Sequence, residues 1–165
     1  AICEFFVEIN DKVIQRLLLF KGLPHRSEFV CTSKGITFVN DSKATNVGAA
    51  QAGIKSLMSK RGGVAIVGGL FKGGSIQALA STIESTVHTV VLIGRSADQF
   101  QSLLANKTRC IHAESMESAV SLAAGAAKEG EVVLLSPACS SLDMYRNYEA
   151  RGAAFKKAVK KWDAA

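Results

Sequence analysis

The sequence has no apolar run approaching the roughly 20 residues that a membrane-spanning helix requires. The first residues, Ala1–Phe6, also lack the basic segment with which a signal peptide begins, and the chain does not start with methionine. We therefore expect no membrane partner, and we expect the chain to be a piece of a longer protein.

The four cysteines are too far apart to form a paired metal or redox motif. They are Cys3, Cys31, Cys110 and Cys139, and no C-x-x-C pair occurs. This spacing disfavours zinc binding and redox chemistry, and it favours buried free thiols in a reducing, cytoplasmic setting. No histidine lies near Cys139 in the sequence, so a cysteine nucleophile has little support.

The positive charge does not follow a nucleic-acid-binding pattern. The formal net charge is +6, and much of it lies near the C-terminus, at Lys156, Lys157, Lys160 and Lys161. Lysines there suit the end of a helix, whose dipole favours cations. Because no aromatic residues alternate with these lysines, we expect no nucleic-acid partner.

Short apolar segments alternate with segments of helical length after residue 25. The sequence predicts strands over 28–32, 36–39, 63–67, 87–93, 110–111 and 131–135, and helices over 45–58, 75–84, 97–104, 114–128 and 145–162. This alternation predicts an α/β fold, a Rossmann-like, mostly parallel sheet with helices on both faces. An N-terminal hairpin through Ser33-Lys34-Gly35 adds one antiparallel strand at an edge.

Residues 1–22 precede this α/β unit. A helix that begins at Asn10 or Asp11 ends near Lys21-Gly22, and Pro24 then imposes an extended path. We interpret residues 1–22 as the tail of a preceding domain together with a hinge, and residues 23–165 as one domain.

Three strand-to-helix loops contain polar side chains. In an open parallel sheet these loops lie at the same edge, where ligands bind. The loops are Asp41–Thr45, Gly68–Gly74 with Lys72, and Ser136–Asp143. Helix starts favour anions, so each loop could bind one. Taken alone, each loop also fits an ordinary solvated turn with a surface ion pair and with helix capping by Thr45, Asn46, Ser140, Ser141 or Asp143. The second loop is not a P-loop, because Gly74 follows Gly73 where a P-loop has lysine.

Together the three loops predict a site for a small dianion. Lys43, Lys72, Thr45 and Ser141 fall around one edge of the sheet, and Arg26 upstream can bind a phosphate.

Four motifs resemble the C-terminal domain of the Mur ligase family, and within that family the members that add D-glutamate. They are Gly22-Leu23-Pro24-His25-Arg26, Asn40-Asp41-Ser42-Lys43-Ala44-Thr45-Asn46, Gly68-Gly69-x-x-Lys72 and Leu135-Ser136-Pro137-Ala138-Cys139-Ser140-Ser141-Leu142-Asp143. The resemblance covers nearly the whole chain, and residues 1–22 then correspond to the end of the central ATP-binding domain.

The resemblance implies an ATP-dependent amide ligase of peptidoglycan precursor synthesis in the bacterial cytoplasm. Its substrates would be ATP, D-glutamate and UDP-N-acetylmuramoyl-L-alanine, whose carboxylate is activated as an acyl phosphate before the amine attacks. ATP and Mg²⁺ would be held mainly by a central domain that this chain lacks. The partners of the chain would be the N-terminal and central domains of the same enzyme, and the chain alone would be inactive.

The resemblance also implies roles for particular residues, and it gives none of them a catalytic or metal-binding role. Those implied to bind D-glutamate are Thr45, Lys72 and Ser141, with the backbone at Leu142 and Tyr148. Those implied to bind the nucleotide are His25, Arg26, Asp41 and Lys43. Tyr148 departs from the phenylalanine that family members often have, which is tolerable if the contact is made by the backbone.

Two alternatives stay open from the sequence. One is a related ligase of another amino acid, similar to folylpolyglutamate synthetase. The other is a non-catalytic anion- or nucleotide-binding α/β module.

Overall fold

The computed structural model describes residues 10–20, 22–58 and 62–165. Predictions that concern residues 1–9, including Cys3, and the hinge residue Lys21 lie outside these described residues. Within them, no helix is both long enough and apolar enough to cross a membrane.

The described residues form a six-stranded sheet in the order β1-β2-β6-β3-β4-β5. The strands are β1 (Glu28–Ser33), β2 (Ile36–Asn40), β3 (Gly63–Gly68), β4 (Thr89–Ile93), β5 (Arg109–His112) and β6 (Val132–Leu135). β1 is antiparallel to β2 at one edge, and the other neighbouring strands are parallel. The predicted fold class, including its antiparallel edge hairpin, is confirmed.

Helices cover both faces of this sheet. They are α1 (Asp11–Leu18), α2 (Val47–Met58), α3 (Ile76–Thr86), α4 (Ala97–Leu104), α5 (Met116–Ala126) and α6 (Tyr148–Asp163). One core cluster joins α2, α3 and α4 to side chains such as Ala65 and Val67, and the other joins α5 and α6 to Val64 and Ile66. Successive residues of β3 therefore pack on opposite faces, as a pleated strand requires. None of the residues of α1 is buried.

The last helix begins three residues later than the sequence predicts. Asn147 is its N-cap, and the Asn147 side chain accepts a hydrogen bond from the Ala150 N–H. Capping of this helix by Ser140, Ser141 or Asp143 is therefore wrong. The side chain of Asn46 accepts from the Ala49 N–H in front of α2, which leaves the hydroxyl of Thr45 outside the cap.

Candidate functional site

Polar loops follow the carboxyl ends of the parallel strands, a side of the sheet that we call its carboxyl edge. Backbone hydrogen bonds join two of these loops to each other. Leu70 and Ser140 exchange two of them, at 2.8 and 3.0 Å, so the loop after β3 is paired with the loop after β6. Gly69 makes this approach possible, because it has a φ of 128° and a Cβ there would collide with the Ser140 carbonyl oxygen. The two loops form one wall whose shape is set before any ligand binds.

A small cavity lies beside this wall and is lined by the Lys72 side chain. We call it the Lys72 cavity. Its volume is about 220 Å³, and it is lined by Thr45, Lys72, Ser140, Ser141, Leu142, Asn147 and Tyr148. All five residues that the resemblance implies for D-glutamate are thus brought together. Lys72 is exposed and Ser141 is buried, so an ammonium group and hydroxyls surround a space suited to carboxylates.

A second cavity, which we call the Asp41 cavity, lies on the α2 side of the first loop. Its volume is about 370 Å³, and it is lined by Arg26, Ser27, Asp41, Lys43, Ala44, Ala49, Ala52, Gly53 and Ser56. It contains three of the four residues implied for the nucleotide. With two cationic side chains and one carboxylate in its wall, it favours an anionic ligand.

Asp41 is buried in the wall of this cavity, and its carboxylate links the first loop to Ser27 and to Ser136. One carboxylate oxygen accepts a hydrogen bond from the Ser27 N–H at 3.1 Å, and the other accepts from the Ser136 hydroxyl at 3.3 Å. Burial raises the pKa of Asp41, and these two donors together with Arg26 act in the opposite direction. Gly53 leaves room for the carboxylate, because a Cβ there would lie 2.6 Å from Oδ2.

His25 is the implied nucleotide residue that does not line the Asp41 cavity. The amide oxygen of Asn40 accepts a hydrogen bond from the Ser42 N–H. The amide nitrogen of Asn40 therefore faces the other way, 2.9 Å from His25 Nδ1 and 2.9 Å from a Glu28 carboxylate oxygen. His25 Nδ1 is thus placed to accept a hydrogen bond from the Asn40 amide, with the Glu28 carboxylate 3.8 Å away. The His25 carbonyl accepts a hydrogen bond from the Lys43 N–H at 3.0 Å, so His25 helps to fix the backbone of the first loop.

Arg151 connects the first and third loops, and sequence reasoning missed it. Its side chain is only 1% exposed. The guanidinium donates to the Ser42 hydroxyl at 3.0 Å, to the Ser42 carbonyl at 2.9 Å and to the Cys139 carbonyl at 3.0 Å. Burial lowers the pKa of Arg151 to about 10, which still leaves it charged at neutral pH.

Cys139 is buried, and burial raises the pKa of its thiol to about 12. It is therefore not a thiolate nucleophile at neutral pH. Within the ranges that the structure describes, no group of three or more histidine, cysteine, aspartate or glutamate side chains could hold a metal ion.

Ser96 occupies the N-cap position of α4, but its side chain makes no cap hydrogen bond. Its hydroxyl accepts from the Phe71 N–H at 3.0 Å instead, which holds the glycine-rich loop against the turn after β4.

A larger cavity, of about 590 Å³, lies at the opposite edge of the sheet, near Gly62, His88 and Thr108. Among the described side chains that line it, Lys107 forms an ion pair with Glu84, and His88 Nε2 lies 2.9 Å from Glu131. Arg26 and Lys43 line the Asp41 cavity and Lys72 lines the Lys72 cavity, so these two cavities are the better candidates for an anionic ligand.

Two adjoining cavities with cationic walls, at the carboxyl edge of a sheet covered on both faces, define an α/β ligand-binding domain. The family model described as "Mur ligase, glutamate ligase domain" matches residues 25–139. This match covers more than half of the 165 residues, and the chain belongs to that family.

Similar proteins agree with this assignment. The UDP-N-acetylmuramoylalanine–D-glutamate ligase of Saccharophagus degradans is 47% identical over 146 residues, which are 88% of this chain and 32% of that protein. The chain thus spans about a third of the length of the curated relatives it matches.

Solved structures share the fold at low sequence identity. The UDP-N-acetylmuramate–alanine ligase of Thermotoga maritima has a TM-score of 0.63 at 14% identity, over 93% of this chain and 33% of that one. A Mycobacterium tuberculosis folylpolyglutamate synthase in complex with ADP has a TM-score of 0.65 at 14% identity, over 94% of this chain and 36% of that one.

Proposed function

We propose that the chain is the C-terminal domain of an ATP-dependent amide ligase that joins D-glutamate to UDP-N-acetylmuramoyl-L-alanine in the bacterial cytoplasm. The observation that supports this most is the Lys72 cavity, in which Thr45, Lys72 and Ser141 converge from three separate loops. The similar D-glutamate ligases, and the family model that matches residues 25–139, support the same activity.

In this proposal the Lys72 cavity binds D-glutamate. The Lys72 ammonium neutralises one carboxylate, and the hydroxyls of Thr45 and Ser141 donate hydrogen bonds to carboxylate oxygens. Leu142 and Tyr148 contribute through their backbone. Because Leu70 and Ser140 already join the loops after β3 and β6, little ordering is needed when the amino acid binds.

The Asp41 cavity faces the nucleotide in this proposal. Its donor set fits ATP, since Arg26 and Lys43 can neutralise phosphate oxygens and the Asp41 carboxylate can accept from a ribose hydroxyl. ATP supplies the phosphoryl group that activates the alanyl carboxylate. Mg²⁺ and most of the phosphate contacts are assigned to the preceding domain, as the sequence resemblance implies. Closure of the two domains would bring the amine bound near Lys72 to the activated carboxylate and exclude water.

Lys72→Ala in the full-length protein tests the proposal. Loss of one charge-assisted contact costs about 1.5–3 kcal/mol, so we expect KM for D-glutamate to rise by roughly 10- to 150-fold while KM for ATP changes little. The matched control is Lys157→Ala, which removes an exposed lysine on α6. An unchanged response to D-glutamate would remove Lys72 from the site.

The folylpolyglutamate-type alternative is separated from the main proposal by its amino acid. Its support in the structures is a fold shared with folylpolyglutamate synthases at 12–21% identity. Phosphate release by the full-length protein with D-glutamate, but not with L-glutamate, is expected. A preference for L-glutamate together with a folate acceptor would favour the alternative. No release with either amino acid would favour the non-catalytic module.

A further inference from the structure

The Lys43 ammonium lies between the two cavities, against the face of an aromatic ring. Lys43 Nζ is 4.0 Å from the centroid of the Tyr148 ring. Lys43 lines the Asp41 cavity, and Tyr148 lines the Lys72 cavity. The pair is therefore the point at which the two cavities meet.

The Tyr148 ring is held in place from two sides. Its own carbonyl accepts a hydrogen bond from the Ser42 hydroxyl at 2.8 Å, and Ser42 is in turn held by the buried Arg151. The His25 ring meets it edge-on, with centroids 6.1 Å apart and an interplanar angle of 82°. A ring fixed by its backbone and by a neighbouring ring can define the position of a flexible lysine.

An aromatic face has a different effect on Lys43 from a carboxylate. Within the described residues, no carboxylate oxygen lies within 4.0 Å of Lys43 Nζ. The nearest acidic neighbour on α6 is Glu149, whose pKa is lowered first by the Tyr148 hydroxyl and also by Lys43, so it acts on Lys43 from a greater distance. A carboxylate partner would neutralise the ammonium and repel an incoming anion. The ring quadrupole attracts the cation, adds no net negative charge, and leaves ammonium N–H groups available to a ligand.

We propose that the side chain of Tyr148 is a positioning residue that holds the Lys43 ammonium at the junction of the two cavities and presents it to a phosphate-bearing ligand. This inference rests on the proposed function for the identity of that ligand. It gives the side chain of Tyr148 a role in addition to the backbone contact, and the role requires a ring but not the phenolic hydroxyl.

Nuclear magnetic resonance of this chain tests the contact directly. Lys43 Nζ lies over the ring, so the protons on the adjoining ε-carbon are expected to resonate upfield of those of exposed lysines. Tyr148→Leu removes the ring and should abolish this shift, whereas Tyr148→Phe keeps the ring and should keep the shift. Lys34, whose Nζ is 4.8 Å from the centroid of the Trp162 ring, is the internal control, and its resonance should not change in either variant. Absence of an upfield Lys43 resonance in the parent protein would overturn the proposal without any variant.

Titration with inorganic tripolyphosphate tests whether the positioned Lys43 ammonium binds phosphate groups. We expect tripolyphosphate to perturb the Lys43 resonance, and we expect Tyr148→Leu to weaken its affinity roughly two- to fivefold, the range that an exposed cation–π contact supports. Tyr148→Phe should restore most of that affinity. Equal weakening in both variants, or no perturbation of Lys43, would overturn the positioning role. Neither measurement requires ligation, so each result stands whether or not the full-length protein adds D-glutamate.

Discussion

Asp41 is a buried carboxyl group, and its burial raises its pKa. Its raised pKa means that the folded state binds a proton at this carboxyl more readily than the unfolded state does. The associated stability is therefore present at low pH and is lost as the pH rises through the folded-state pKa. At neutral pH the ionised carboxylate is retained in the wall of the Asp41 cavity at a cost to the free energy of unfolding.

Asp41→Asn should remove the dependence of stability on pH that arises from this carboxyl group. The amide oxygen can still accept from the Ser27 N–H, and the amide nitrogen can donate to the Ser136 hydroxyl. We expect the stability of the variant relative to the parent protein to be more favourable at pH 7 than at about pH 4, where more of the parent carboxyl is protonated. Urea unfolding of both proteins at the two pH values measures this, and a pH-independent difference would contradict it.

The residues of the candidate site could be predicted to the extent that they lie in motifs on loops. Thr45, Lys72 and Ser141 follow strand ends, and parallel strands bring such loops to one edge. Arg151 could not be found in this way, since it stands in a helix that also contains four lysines, and nothing local marks it as buried. Its partners are carbonyl and hydroxyl groups of distant loops, which no spacing in the sequence reveals.

At the scale of elements, the strands and helices follow from periodicity, and their ends follow from capping. The sequence predicts the start of α6 three residues too early, and it offers Ser140, Ser141 and Asp143 as ordinary capping residues in the preceding loop. In the structure Ser140 pairs with Leu70, and the Asp143 carboxylate accepts from the Arg95 N–H at 2.8 Å. Ser140 and Asp143 thus have long-range partners, the Ser141 carbonyl accepts from Met144 and Tyr145 in a local turn, and Asn147 caps the helix that starts at Tyr148.

Two helical glycines with different surroundings give a prediction about packing. A Cβ at Gly152 in α6 would collide with His25 Nδ1, whereas a Cβ at Gly125 in α5 would meet no atom within 4 Å. We expect Gly152→Ala to lower the free energy of unfolding by about 1–3 kcal/mol, as overpacking does. Gly125→Ala should raise it by about 0.5–1 kcal/mol, through helix propensity.

Thermal and urea unfolding of the two alanine variants measure this difference. Because the chemical change is the same, helix propensity alone would stabilise both variants. Equal stabilisation would mean that α6 does not approach His25 as closely as the structure indicates.

At the scale of the whole molecule, strand order creates the candidate site. β6 lies between β2 and β3, although it is the last strand in the sequence. Its loop therefore lies beside both of the other polar loops, so Ser141 can reach the same cavity as Thr45 and Lys72. Local sequence predicts that these strands are parallel, but it does not define their order, which depends on how the whole sheet packs against its helices.

The last prediction is that this chain folds on its own and does not catalyse. Core clusters on both faces of the sheet contain many fully buried side chains, and none of the residues of α1 is buried. We therefore expect residues 1–165 and residues 23–165 to unfold in single cooperative thermal transitions, with midpoints within a few degrees of each other.

Turnover is not expected, because the sequence contains no G-x-x-x-x-G-K-[ST] loop to hold the ATP phosphates, and the Asp41 and Lys72 cavities measure only about 370 and 220 Å³. The assay is phosphate release by the 165-residue protein with ATP, Mg²⁺, D-glutamate and UDP-N-acetylmuramoyl-L-alanine, with the full-length protein as the positive control. Release above background by the 165 residues would mean that they contain the phosphate site assigned here to the preceding domain. A much lower midpoint for residues 23–165 would instead place the domain boundary upstream of Leu23.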